Sequence, residues 1–226
     1  HYQFWFAILG LHKLGAIAIP ATHLLMAKDY VYRFKSAGVS AIVATAEDEV
    51  CEHVEEAMKS YDGLHSCFIV RGEREGWLSF DRLIEETAPM TGRVETLATD
   101  TLLLYFTSGT TGYPKMVCHD HTYPIAHIVT AKYWHNVDPD GLHLTVSETG
   151  WAKSVWGKLY GQWFMAAGIF DYDFDKFIPS DLLGKIQEYK LTTFCAPPTI
   201  YRFLIKEGLE NYDLSSLQYV TTAGEA

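Results

Sequence analysis

The residues in this chain best suited to do chemistry stand together at 107–115: Thr107-Ser108-Gly109-Thr110-Thr111-Gly112-Tyr113-Pro114-Lys115. Glycine lets a backbone turn tightly and approach a ligand closely, because no Cβ stands in the way. Hydroxyls and exposed backbone N–H groups then aim at whatever lies in the turn, and Lys115 adds a mobile positive charge. That set of groups suits a polyphosphate. Composition alone leaves a second reading equally open, an ordinary Gly/Ser/Thr-rich surface connection between two strands.

One phosphate-binding pattern is excluded. A Walker-type loop needs four residues between its glycines and then Gly-Lys-Ser/Thr, whereas Lys115 follows Pro114 and precedes Met116. The stretch comes directly after an apolar run, residues 102–106, which reads as a short buried strand.

Thr-Ser-Gly-Thr-Thr-Gly-x-Pro-Lys behind such a strand resembles the signature loop of the AMP-forming, adenylating superfamily: acyl-CoA synthetases, luciferases and the adenylation domains of peptide synthetases. The resemblance implies that Thr107, Ser108, Gly109, Thr110, Thr111, Gly112 and Lys115 hold the β- and γ-phosphates of ATP. Lys115 and Thr107 are then the catalytic candidates. It also implies a two-step reaction in which a fatty or aromatic carboxylate attacks the α-phosphate of ATP and the thiol of coenzyme A takes the acyl group. Mg2+ is implied by the family alone, since no metal-ligand carboxylate is identifiable in the chain.

Two further stretches gain meaning from the same resemblance. Thr221-Thr222-Ala223-Gly224-Glu225-Ala226 is a strand running into a small-residue turn. Read alone it favours a plain strand-to-helix turn, although ligands do sit at the carboxyl ends of strands in open α/β sheets. Family members carry a Gly-Glu-Ala or Gly-Glu-Pro turn there against adenine, so Gly224, Glu225 and Ala226 take that expected role. Ser147-Glu148-Thr149-Gly150-Trp151 is similar to a segment lining the acyl pocket of acyl-CoA synthetases, usually with Asp where Glu148 stands. Trp151 is assigned to the carboxylate pocket, and 150–202 looks more like the medium-chain and benzoate-type acyl-CoA synthetases than the luciferases or peptide synthetases. Trp156 and Trp163 read as core packing.

His119 and His121 would face one side of a strand, with His127 six residues on, and this invites a zinc hydrolase reading. No Asp, Glu or Cys stands at a convincing distance to complete a tetrahedral site, so no metal ligand is assigned. Tyr105 reads as core and Lys153 as solvated.

These groups must be positioned by alternating elements. Helices are expected at 2–14, closed by Gly15, and at 27–37, closed by Gly38. Val50, Val54, Ala57, Met58 and Tyr61 make an amphipathic helix opposite Glu47, Asp48, Glu49, Glu52, Glu55 and Glu56, read as its solvated face. Helices follow at 80–86, from Thr122 as N-cap with Ile125, Ile128, Val129 and Tyr133 on one face, from Ser180, and at 199–206. Trp156, Tyr160, Trp163 and Phe164 fall on one helical stripe. Strands are expected at 16–19, 39–45, 66–70, 102–106, 116–121, 142–147, 169–174, 192–196 and 219–222. The alternation implies an α/β fold with parallel β-sheets flanked by helices.

The chain has 226 residues, 48% of them hydrophobic, so a large core can be buried. Its net charge of −10 argues against a nucleic-acid surface, which rests on neutralising phosphates with Lys and Arg. Cys51, Cys67, Cys118 and Cys195 are dispersed without a Cys-x-x-Cys pair and suit reduced thiols in the cytoplasm. The early apolar stretch at 4–11 is too short to span a bilayer. Beginning at His1 inside a helix and ending at Ala226 after a strand, residues 1–226 are expected to be an internal fragment of the large N-terminal adenylation domain. Its sub-parts lie at roughly 1–100 and 101–226, and the family's small C-terminal domain is absent. Such a fragment is expected not to complete adenylation alone. The competing reading is a non-catalytic nucleotide-binding or scaffold module.

Overall fold

The computed structural model describes residues 1–47, 49–107, 112–174 and 176–224. The chain divides into two compact units, one of residues 1–96 and 102–118, the other of 97–101 and 119–226.

In the first unit, helix α1 (Gln3–Lys13) buries Gln3, Trp5 and Ile8 and ends before Gly15, whose φ of +67° suits a residue without Cβ. The strand expected at 16–19 reduces to one bridge. Ala18 pairs with Leu103, donating to Leu102 and accepting from Leu104, and Pro20 has no N–H to continue the ladder. Helix α2 (Ala27–Ala37) buries Tyr30 and Phe34, one turn apart, and stops at Gly38 in the left-handed conformation, whose N–H caps the Phe34 carbonyl.

Strand β1 (Ala41–Thr45), helix α3 (Val50–Met58), strand β2 (Ser66–Val70), strand β3 (Leu78–Ser79) and helix α4 (Phe80–Glu86) follow. The sheet runs β1-β2-β3 with parallel pairing, Ala41 opposite Ser66 and Thr45 opposite Val70. Tyr30 and Phe34 of α2 pack with Val50, Val54 and Ala57 of α3 and Ile69 of β2 in one core. Glu52 and Glu55 of α3 are less free than the sequence suggests. Arg74 donates Nη1 to Glu52 at 2.7 Å and both Nε and Nη2 to Glu55 at 2.6 and 2.8 Å. Strand β4 (Thr101–Thr107) then pairs with β5 (Lys115–Asp120) in a two-stranded sheet. Leu102 to Tyr105 of β4 are all buried, as an apolar run of that length requires.

The second unit carries α5 (Tyr123–Tyr133), β6 (Leu142–Thr145), α6 (Ala152–Ser154), a π-helical turn (Val155–Leu159), α7 (Tyr160–Phe164) and β7 (Gly168–Ile169). Helix α8 (Pro179–Tyr189), β8 (Thr193–Ala196), α9 (Pro198–Glu207) and β9 (Tyr219–Thr222) complete it. Its sheet, β7-β6-β8-β9, is parallel throughout, with His143 opposite Thr193 and Ala196 opposite Thr222. Leu144, Leu182, Leu183, Ile186, Phe194 and Leu204 form its core. The two parallel sheets, helix-flanked, match the expected fold class. Among the described residues no helix is long and apolar enough to cross a membrane.

Two expectations fail here. Of the expected stripe, Ile125, Val129 and Tyr133 are 56%, 61% and 71% exposed and Ile128 is half-buried; α5 packs mainly through its opposite side, where Ala131 is fully buried. A Cβ on Gly161 of α7 would lie 2.1 Å from the His127 carbonyl oxygen, so only glycine permits this approach. The aromatic stripe Trp156-Tyr160-Trp163-Phe164 also breaks up. Val155–Leu159 winds as a π-turn, which inserts a residue and rotates the next turn of helix about its axis. Tyr160 is buried and Trp156 half-buried, but Trp163 and Phe164 are exposed, so Trp163 is not a core residue.

Candidate functional site

Strands β4 and β5 place Thr107 and Lys115 at the two feet of the hydroxyl-rich loop. Both are exposed, and Thr107 Oγ1 lies 3.5 Å from the Lys115 carbonyl oxygen, a long hydrogen bond across the base. Gly112 has φ +126° with open space where a Cβ would stand, so the turn there uses backbone that other residues rarely adopt. Ser108, Gly109, Thr110 and Thr111 lie outside the described residues. Tyr113 stacks on Tyr32 of α2 with ring centroids 4.8 Å apart, and the Tyr32 hydroxyl donates to the Pro114 carbonyl at 2.9 Å. Thus Thr107, Gly112 and Lys115 come together in the first unit, with α2 beneath them.

The second unit, taken by itself, brings together a different group of the expected residues at the end of β9. Lys153 is half-buried, not solvated as its sequence setting suggests, and its Nζ donates to the Ala223 carbonyl at 2.7 Å. A Cβ on Gly224, which has φ +106°, would stand 3.7 Å from that nitrogen. Glu225 and Ala226 lie outside the described residues. Trp151, 65% exposed, stands two residues before Lys153 at the start of α6. Glu148 turns back on its own backbone and accepts from the Gly150 N–H at 3.2 Å.

Behind this turn runs a histidine network that residue spacing does not reveal. His143 of β6 is 1% exposed, with Nδ1 2.8 Å from Thr193 Oγ1 and Nε2 2.8 Å from Thr145 Oγ1. Thr145 donates to the Gly157 carbonyl at 2.8 Å, so its oxygen is left to accept. The consistent assignment puts the ring proton on Nε2, between Thr145 Oγ1 and the Gly157 carbonyl, with Nδ1 accepting from Thr193. Burial pushes the His143 pKa down to about 3, the neighbouring His135 adds to this, and the Gly157 carbonyl opposes it. His135, also 1% exposed, lies edge-on to His143 and tilted against Trp156, and burial followed by the Lys153 charge brings it to about 4. Its Nδ1 is 3.4 Å from Thr221 Oγ1 of β9. Both rings are neutral at physiological pH.

His119 does not sit as a metal ligand would. Its ring stacks on Tyr123 at 3.9 Å, and burial lowers its pKa. Among the described residues no group of three or more His, Cys, Asp or Glu side chains is placed to hold a metal ion. Tyr32, Lys153, His135 and His143 were not assigned to the site from sequence. Lys153 carried a weak signal, its place two residues after Trp151 at a strand-end turn. Tyr32 lies 82 positions from Pro114 and carried none.

The family model for AMP-binding enzymes matches residues 1–226 of this chain. Among curated proteins, the acyl-coenzyme A synthetase ACSM3, mitochondrial, of Homo sapiens is 32% identical over 225 residues, 99% of this chain and 38% of that protein. The human acyl-coenzyme A synthetase ACSM4, mitochondrial, is likewise 32% identical over 225 residues, with the same 38% of its length covered. Among solved structures, the anthranilate CoA ligase AuaEII in complex with anthranoyl-AMP superposes with a TM-score of 0.87 at 24% identity, over 97% of this chain and 43% of that one. Brucella canis acyl-CoA synthetase gives 0.82 at 19% identity, over 100% and 41%. At these identities the structural likeness speaks for the fold.

Proposed function

The chain belongs to the AMP-binding enzyme family, and we propose that its gene product activates a fatty or aromatic carboxylate with ATP and passes the acyl group to coenzyme A. The observation that carries this reading is the loop base: Thr107 and Lys115 face each other across paired strands, with Gly112 providing the turn.

In the first step a carboxylate oxygen attacks the α-phosphorus, and the bond to the bridging oxygen breaks. The product is an acyl-adenylate, and pyrophosphate leaves with the negative charge. Donors already aimed at that growing charge lower the barrier more than donors that must reorganise. Lys115 supplies the cation and Thr107 a hydroxyl from the strand end; Ser108 to Thr111 take their role from the resemblance. Lys153 orients the Ala223–Gly224 backbone, the proposed seat of the adenine, with Glu225 and Ala226 continuing it. Trp151 is the proposed wall of the carboxylate pocket. Mg2+ is implied by the family; among the described residues no group of three or more His, Cys, Asp or Glu side chains is placed to hold it.

The free thiols Cys51, Cys67, Cys118 and Cys195 support a cytoplasmic setting; recovery in a mitochondrial fraction, the compartment in the names of the human relatives, would overturn that. The activity is tested by carboxylate-dependent ATP–pyrophosphate exchange with the full gene product over a panel of acids. Exchange with at least one acid supports the reading. ATP binding without exchange favours the nucleotide-binding module. The 226-residue chain alone, which spans 38% of its relatives' length, is proposed to bind nucleotide without catalysing exchange.

A further inference from the structure

We propose that Tyr32 is a positioning residue for Lys115, holding both feet of the phosphate loop to helix α2; this rests on the phosphate-loop reading above. One side chain touches three points of the loop base. Its ring meets Phe106, the residue before Thr107, edge-on at 6.0 Å and 69°. It stacks on Tyr113, the residue after Gly112, at 4.8 Å and 19°. Its hydroxyl donates to the carbonyl of Pro114, the residue before Lys115, at 2.9 Å.

The geometry follows from α2. Tyr30 and Phe34 fix that helix in the core. Tyr32 is two residues from each, and two residues turn an α-helix by about 200°, so it leaves from the opposite side. Arg33, the next residue along the helix, also lies over the Phe106 ring, 4.7 Å from its centroid. Tyr113 is 76% exposed, so its ring buries little surface and is held in place mainly by this stack. Gly112, on the other side of Tyr113, takes φ +126°, backbone that other residues rarely adopt. Without Tyr32 the segment Gly112–Lys115 keeps its chemistry but loses its aim. Misplacing a catalytic group by small distances is enough to cost rate.

The test measures binding of ATP, inorganic pyrophosphate and AMP to the full gene product, with exchange kinetics alongside. Tyr32→Phe keeps both ring contacts and loses the hydrogen bond; Tyr32→Ala loses all three. ATP and pyrophosphate are expected to bind about five-fold more weakly to Tyr32→Phe, the equivalent of one neutral hydrogen bond, and more weakly still to Tyr32→Ala. AMP, which lacks the β- and γ-phosphates, should bind both variants within two-fold of wild type. In a Lys115→Ala background, Tyr32→Phe should add less than a two-fold effect, because its action passes through Lys115. Equal weakening of AMP and ATP would show a merely structural role and overturn the inference, as would wild-type ATP binding by both variants. If Tyr32→Ala does not fold, Tyr32→Phe and the double variant still decide the question. Failure of the wild-type protein to bind ATP or pyrophosphate would instead sink the phosphate-loop reading, and this inference with it.

Discussion

Acid should unfold the second unit through two histidines it keeps neutral. A free histidine titrates near 6.5, whereas burial brings His135 to about 4 and His143 to about 3. Between those values the unfolded chain binds protons that the folded chain refuses, so stability falls as pH drops from about 6.5 toward 4 and is unaffected above about 7.5. At pH 5.5 each histidine is about nine-tenths protonated when unfolded and nearly unprotonated when folded, which gives a slope of about 1.2 kcal/mol per pH unit each. The pair contributes about 2.5 kcal/mol per unit there. His119 and His127, also lowered by burial, act in the same direction. The assay is urea unfolding at pH 5.0, 5.5, 6.0 and 7.5 by tryptophan fluorescence, since four of the six tryptophans, Trp134, Trp151, Trp156 and Trp163, lie in the second unit. His143→Gln should shift the whole curve down yet flatten its acid slope by about 1.2 kcal/mol per unit. The slope, unlike the overall stability, isolates the titration from the lost packing. An unchanged slope in the variant, or a flat wild-type curve over pH 5–6, would refute the reasoning.

Lys153→Met removes the ammonium from the Ala223 carbonyl while keeping an unbranched apolar stem; AMP affinity measured by calorimetry should fall by about 10-fold or more, as for one charged hydrogen bond. Gly161→Ala would press a methyl into the His127 carbonyl and should destabilise by about 3 kcal/mol or more, seen as a lowered urea midpoint. Trp151→Ala opens an exposed wall at low folding cost, so melting temperature should hold while the ratio of kcat/KM for bulky over small acids rises several-fold.

Much of the fold was legible because its signals are local. Helix α2 follows from Tyr30, Phe34 and the Gly38 cap, and strands β2 and β9 from short apolar or β-branched runs, all at the boundaries read from sequence. The failures share a cause: they depend on partners distant in sequence or on a break in period. The π-turn at Val155–Leu159 rotates the aromatic residues away from a single stripe, and no residue pattern announces it. Helix α5 looks amphipathic about Ile125 and Val129, but the close approach of Gly161 selects the face with Ala131. In the site, the loop residues were readable because their chemistry is concentrated in one run. Tyr32 was not, since a hydroxyl that meets a carbonyl 82 positions away has no mark in the sequence, and Lys153, weakly marked by its place after Trp151, reads as solvated because its carbonyl partner lies 70 positions on.

The central claim is that Lys115 stabilises the charge growing on the leaving pyrophosphate. In the full gene product, Lys115→Ala should slow carboxylate-dependent ATP–pyrophosphate exchange by about 10²- to 10³-fold, the loss expected for one preorganised electrostatic group, with melting temperature unchanged because the side chain is exposed. Exchange within two-fold of wild type would contradict the account.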